Sequence, residues 1–173
     1  EAWGRTSQAH LWQLCGDPAA AARECRRVLP LVQDKMPLLE HRALTYLGDA
    51  LYKVGDVDNS EKLYWRALTM QQEARLHFRL AEPVIRLAHL LLVRKEIAAA
   101  QTLLEEPLSH LMQQGPATIA EPFALYLISY HVLQANGDGR APAILQQAHQ
   151  LLQELASTIS DSALRQSFLE NVP

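Results

Sequence analysis

The sequence predicts an all-α fold, a stack of about four helical hairpins followed by a short C-terminal capping helix, and three observations carry this prediction. Leu44, Leu47, Gly48 and Leu51 fall at i, i+3, i+4 and i+7, one face of a helix. After a break at Gly55-Asp56 the same period resumes through Ser60, Leu63, Tyr64 and Ala67, which makes a helix-turn-helix hairpin. Small residues then recur at Ala9, Gly48, Ala88 and Ser129, in steps of 39, 40 and 41 residues. Small side chains at such a spacing let neighbouring helices approach closely, with larger residues such as Leu51 and Tyr64 filling the space beside them.

A chain of 173 residues is long enough to fold as one domain with a sizeable core. With 49% hydrophobic and 20% charged residues it reads as an ordinary globular protein, neither disordered nor membrane-embedded. No run of about eighteen apolar residues is present, so no transmembrane helix is predicted. The net charge of -3 and a pI near 6.2 offer no general attraction for phosphate backbones, and the basic cluster Arg23, Arg26 and Arg27 covers one helical turn. Direct nucleic-acid binding is therefore not expected. Cys15 and Cys25 are too few for a disulfide scaffold and are predicted to be reduced thiols of a cytoplasmic protein. A start at Glu1 without methionine and a stop at Val172-Pro173 predict a fragment of a longer protein.

Taken in order, the first helix is predicted over 2–15 and ends at Gly16-Asp17-Pro18. Glycine accepts the left-handed conformation there, aspartate caps the next helix and proline takes its first position. The second helix runs from Pro18 to about Val32 with Ala21, Ala22, Cys25, Val28 and Leu29 on one face, closing a unit at 2–36. Pro37 opens the central unit, 37–78, whose second helix is predicted over 57–75 with a loop at 77–80. Glu82-Pro83 begins the helical part of the third unit, 79–115, with Val84, Leu87, Ala88 and Leu91, a break at Lys95-Glu96, then Ala100, Leu103 and Leu104. Pro107 inside its second helix predicts a kink or an early end, with irregularity over 105–108.

Gly115-Pro116 breaks the chain again, and Glu121-Pro122 opens the helices of the fourth unit, 116–158. Leu125, Ile128, Ser129 and Val132 share one face, and a second helix over 140–156 follows Asn136-Gly137-Asp138-Gly139. The register across that turn is set to within one residue. A last helix over 160–170, with Leu164, Phe168 and Leu169, is expected to cover the apolar end of the stack. Trp12, Cys25 and a near-core Cys15 are placed inside, whereas an exposed Trp3 would mark an apolar patch at the N-terminal end.

The residue order of the central unit resembles the tetratricopeptide repeat, whose pattern is Trp-x2-Leu-Gly-x2-Tyr, then Ala-x3-Phe, then Pro. Leu44 stands for Trp, Leu47-Gly48 match, Leu51 stands for Tyr, Ser60 for Ala and Tyr64 for Phe, while Gln72 stands where the terminal Pro falls. The period here exceeds the 34 residues of the standard repeat. A subgroup fits that departure: the tail from Ala148 to Pro173, with the preceding Leu-Ile-Ser-Tyr-His-Val-Leu-Gln-Ala-Asn-Gly-Asp run, is similar to the closing segment of helical arrays in large bacterial signalling proteins. These are the maltose-regulon activator group, in which an ATPase module precedes tetratricopeptide repeats and sometimes a DNA-binding or cyclase domain. No nucleotide-binding loop is present in this chain, so any ATPase activity would lie outside it.

The resemblance implies a right-handed α-α superhelix over the single domain 1–173, with the first helices lining a concave face where the family binds peptides or neighbouring domains. Carried onto this sequence, the groove rows are His10, Asp49, His89 and Tyr130, then Gln13, Tyr52, Leu92 and Leu133 with Lys53 beside Tyr52, and one turn earlier Thr6, Thr45, Ile85 and Tyr126. The binding candidates among them are His10, Thr45, Asp49, Tyr52, Lys53, His89, Tyr126 and Tyr130. The chaperone-tail subtype holds a terminal carboxylate with Lys, Asn and Arg, and Lys53 alone matches, so a carboxylate clamp is not predicted. The function implied is a protein-protein interaction or sensor scaffold in signal transduction or transcription regulation, with a small-molecule inducer as the alternative ligand.

Catalysis, a cofactor and a metal are not predicted. His10, Asp49 and His89 recur at equal steps and could be imagined as a metal site or a His-Asp relay, or as the hidden site of a hydrolase. Successive hairpins stand about 10 Å apart, whereas zinc ligands must each come within about 2.1 Å of the ion. Cys15 lies five residues after His10, but nothing supplies the oxyanion donors that acyl transfer needs. Glu105 and Glu106 are adjacent, so they point to different sides of a helix and cannot act as a pair.

Overall fold

The computed structural model describes residues 1–73 and 81–171. Among the described residues there are nine α-helices and no strand: α1 (Ala2–Leu14), α2 (Pro18–Val32), α3 (Pro37–Lys53), α4 (Val57–Glu73), α5 (Glu82–Val93), α6 (Ile97–Gln114), α7 (Pro122–Ala135), α8 (Ala141–Ser157) and α9 (Ser162–Asn171). A 3-10 turn, Pro116–Thr118, precedes α7. Helix α4 is described to Glu73, so the end expected near residue 75 and the loop at 77–80 lie outside the described residues. No helix among the described residues is long and apolar enough to cross a membrane.

Four hairpins, α1–α2, α3–α4, α5–α6 and α7–α8, share one turn. Gly16, Gly55, Lys95 and Gly137 take the left-handed conformation, with φ of 77°, 87°, 64° and 68°. The next amide, of Asp17, Asp56, Glu96 or Asp138, donates back to the carbonyl of Trp12, Leu51, Leu91 or Leu133 at 2.8–2.9 Å. This pairing satisfies carbonyls that a helix end leaves open. It also fixes the register between hairpins, because Leu133 now stands level with Leu91, Leu51 and Trp12. Tyr130 is thereby level with Ala88, Gly48 and Ala9, and His131 with His89, Asp49 and His10. A frame counted from Ser129 is one residue out, since Gly137 follows Lys95 by 42 residues whereas Ser129 follows Ala88 by 41.

Each helix packs on its neighbour in the chain, α1 also packs on α3, and α5 on α7; α3 and α5 do not approach one another comparably. Buried apolar residues form one large cluster running from Tyr64 to Ile144 and two smaller ones between α1, α2 and α3. Ala9, Ala88 and Ser129 are fully buried, and Gly48 is buried beneath Tyr64. A methyl added at Gly48 would meet Tyr64 Cε1 at 2.5 Å and Cδ1 at 2.8 Å, so the glycine is required by the close approach of α3 and α4.

Several expectations are corrected. Helix α6 does not end at Pro107 but continues to Gln114, and α2 likewise contains Pro30. Leu104, Leu108 and Leu111 are buried around Pro107, and that packing outweighs the one hydrogen bond proline removes. Trp12 is 36% exposed rather than core, and Trp3, Leu11 and Leu14 of α1 are exposed as well. Cys15 is exposed, while Cys25 is buried and burial pushes its thiol up to about 12. Helix α9 buries none of its residues, with Leu164 64% exposed, so it leans on α8 without covering the end of the stack.

Candidate functional site: a groove across the first helices

One groove, of about 600 Å³, is lined by His10, Gln13 and Leu14 from α1, Asp49, Tyr52 and Lys53 from α3, Ile85, Arg86, His89 and Leu90 from α5, and Ala124, Leu127, Ile128 and His131 from α7. Tyr64 of α4 and Glu121, the residue before α7, complete it. The wall is mostly apolar, but its centre is a charge network. Arg86 donates to Asp49 through Nε at 3.2 Å and Nη2 at 3.4 Å, and to Glu121 through Nη2 at 3.1 Å and a shorter bond from Nη1. The Tyr64 hydroxyl donates to Asp49 at 2.7 Å. The Arg86–Asp49 bonds cross the space between α3 and α5, where the backbones stay apart, and Tyr52 and His89 span it a second time, Oη to Nε2, at 3.2 Å.

Electrostatics in the floor are governed by burial and then by acid. Burial works to lower the Arg86 pKa, but the charges and hydrogen bonds of Asp49 and Glu121 outweigh it and raise it. Glu82, at the start of α5, is 5% exposed and its Oε2 has no hydrogen-bond partner. Burial, followed by repulsion from Glu121, pushes its carboxyl up to about 7 despite Arg86 and Arg42. Tyr64 is raised by burial and then by Asp49, and Tyr46 by burial and then by Glu82. At the α1 side the His10 ring stacks on Tyr46 with centroids 5.0 Å apart, Gln13 Nε2 donates to the Tyr46 carbonyl at 2.6 Å, and Lys53 Nζ donates to the Gln13 carbonyl at 3.4 Å.

Five of the eight sequence candidates, His10, Asp49, Tyr52, Lys53 and His89, are brought together in this groove. Thr45 is not: it is 1% exposed, and its hydroxyl donates to the His41 carbonyl at 3.0 Å inside α3. Tyr126 is 6% exposed beside Phe123 and Leu145, and Tyr130 lies against Pro142 and Leu145, both turned to α8. Their displacement follows from the one-residue register shift, which gives the groove Leu127 and His131 instead. Arg86 and Glu121 were outside the rows read from the sequence. A signal for Arg86 existed: it is the one Lys, Arg, Asp or Glu in 83–93, placed three residues before His89 on the same helical face.

No hydrogen bond joins Asp49 to His10 or His89, so the relay suggested by their spacing does not form; Asp49 is bound to Arg86 and Tyr64 instead. Among the described residues no group of three or more His, Cys, Asp or Glu is placed to hold a metal ion. Apolar walls, hydrogen-bonding rings and a charged centre are features to which a ligand can bind. No family model matches this chain, and no curated protein or solved structure is significantly similar to it.

Proposed function

We propose that this chain is a non-catalytic interaction module of tetratricopeptide-like build, a right-handed stack of helical hairpins whose first helices hold a peptide segment of a partner protein or of another domain of the same polypeptide. The observation that carries the reading is the single groove that draws side chains from α1, α3, α5 and α7, with a polar floor and with Leu14 and Leu127 exposed at its rim. Surfaces that cross successive helices in this way suit an extended segment, which offers alternate side chains to the wall. In the setting the resemblance implies, a cytoplasmic bacterial regulator, occupancy would favour one curvature of the stack and pass that bias to an effector domain.

A random peptide display library panned on the chain tests this. Enriched peptides are expected to bind the parent and to lose at least tenfold in affinity to Ala124→Arg, which fills the groove, with the melting temperature of that variant unchanged. Absence of any enriched peptide, or equal binding by the variant, would overturn the reading.

The volume of the groove favours a second reading, a small-molecule inducer, because ligand cavities run from about 300 to 1,000 Å³. A thermal-shift screen distinguishes the two, since a compound at about 100 times its dissociation constant adds about 2.7 kcal/mol of stability.

A further inference from the structure

We propose that the groove receives a cationic side chain, a lysine or arginine of the bound segment, which docks on Glu121 while its apolar neighbours lie against Leu14, Leu127 and Ile128. This rests on the groove being a peptide site. The argument is one of unspent hydrogen-bonding capacity. Arg86 has five N–H donors, and its bonds to Asp49 and Glu121 are four in number, so it has little left to offer an anionic ligand. Asp49 already accepts three bonds, from Tyr64 and twice from Arg86. Glu121 accepts two, both from Arg86, against the roughly four that a carboxylate can take. With a third of its side chain exposed, it is the most open acid of the network.

Charge balance points the same way. Among the lining residues the formal charges of Asp49 and Glu121 cancel those of Arg86 and Lys53, and Lys53 is turned to the Gln13 carbonyl on the α1 side. That leaves Asp49 and Glu121 with Arg86 alone, one acid charge in excess. Glu82 adds an acceptor and not a charge. It lies four residues before Arg86 on α5, the spacing at which a glutamate ordinarily pairs with an arginine, yet Arg86 is taken by Asp49 and Glu121 and the Glu82 Oε2 is left buried without a partner. Burial holds Glu82 protonated, so it leaves that excess unchanged. An incoming ammonium or guanidinium supplies the charge this centre lacks, and the apolar rim accepts the residues on either side.

The peptides enriched on the parent chain provide the test. They are expected to carry Lys or Arg flanked by apolar residues. Changing that residue to Gln should weaken binding at least tenfold to the parent but less than threefold to Glu121→Gln, which keeps an acceptor for Arg86 and removes the charge. Glu106→Gln, an exposed acid outside the groove, should leave the tenfold ratio intact. Enriched peptides without a basic residue, or a Lys-to-Gln loss that is the same in the parent and in Glu121→Gln, would overturn the cation while leaving the peptide groove standing. If no peptide is enriched at all, the groove reading fails and this inference falls with it.

Discussion

In the α3–α4 hairpin a glycine lies beneath a buried tyrosine ring, Gly48 under Tyr64; in the α7–α8 hairpin the sizes are reversed. Tyr64 is the eighth residue of α4, and the eighth residue of α8 is Ala148, level with Tyr130 on α7. The other two hairpins pair Ala9 with Cys25 and Ala88 with Leu104 by the same count. In three of the four pairs a large residue, on either helix, stands against a small one, and in the first hairpin two small residues meet, so the size at a given position does not recur along the chain. The two regions also differ in how they keep their charges. Glu40 and His41 are held inside on α3, whereas the ion cluster that joins the third and fourth hairpins, Arg140 with Asp138 and Glu105, is at the surface.

The largest effect should come from breaking the tighter interface. Gly48→Leu places a branched side chain where even a Cβ lies 2.5 Å from Tyr64, and should cost about 3 kcal/mol or more. Tyr130→Leu in the fourth hairpin, where the side chain is half-buried, should cost about 1 kcal/mol. Glu106→Gln should stay within about 0.5 kcal/mol of the parent. Urea melts of the three variants check this, and equal costs for the first two would remove the contrast between the hairpins.

Buried acid and base around α3 and α5 give the second prediction. His41 is fully buried with no partner on either ring nitrogen, and burial pushes it down to about 4 against the influence of Gln71. Its stabilising contribution, that of a neutral imidazole, is present above pH 6.5 and is lost as pH falls through 4. Glu82 acts oppositely: raised from 4.5 to about 7, it contributes below pH 4.5, and the contribution is lost as pH rises through 7. Between pH 4.5 and 6.5 the two slopes, each about 1 kcal/mol per pH unit, cancel. Relative to the parent, Glu82→Gln should therefore gain about 1 kcal/mol per pH unit across that window and His41→Leu should lose as much. Arg140→Ala, in the exposed cluster, should run parallel to the parent from pH 5.5 to 6.5, where Asp138 and Glu105 are ionised with or without it. Denaturant melts at pH 4.5, 5.5 and 6.5 read all four proteins, and parallel curves for Glu82→Gln and the parent would show that Glu82 is not held neutral by the fold.

Legibility in the sequence follows the same contrast. Hairpin boundaries were readable because Gly-Asp and Pro pairs mark turns with one allowed backbone geometry, and α2, α3 and α5 start at Pro18, Pro37 and Glu82 as read. The fourth hairpin was read one residue out because small residues mark packing, and packing tolerates a swap of large and small that a turn does not. Position in the repeat predicts Trp12 in the core, yet it is 36% exposed. The groove was half legible. Its rows follow from helical period, but Arg86 and Glu121 form a site by long side chains reaching across a gap between α3 and α5, and a gap leaves no period in a sequence.

A smaller effect would sharpen the comparison of turns. Lys95 takes φ of 64° where the other three hairpins use glycine, and a side chain in that region carries a steric cost. Lys95→Gly should gain about 1 kcal/mol, offset in part by the greater freedom of glycine in the unfolded chain, and Gly137→Ala should lose about 1 kcal/mol. Thermal melts of the pair suffice, and a loss on Lys95→Gly would mean that lysine side-chain contacts outweigh the backbone.

Ser129 offers the finest distinction between the interfaces. It is fully buried on α7 beside Leu104 and Leu108 of α6, and its hydroxyl has no hydrogen-bond partner. A hydroxyl taken out of water without a partner is destabilising, and a methyl in its place is not, so Ser129→Ala should gain about 0.5–1 kcal/mol. Gly48→Ala, an equally small change at the α3–α4 interface inside the second hairpin, should destabilise, because the added carbon meets the Tyr64 ring. Opposite signs in paired urea melts are the expected result. The same sign for both would mean that either the unpaired hydroxyl at the α6–α7 interface or the close contact at the α3–α4 interface has no energetic consequence.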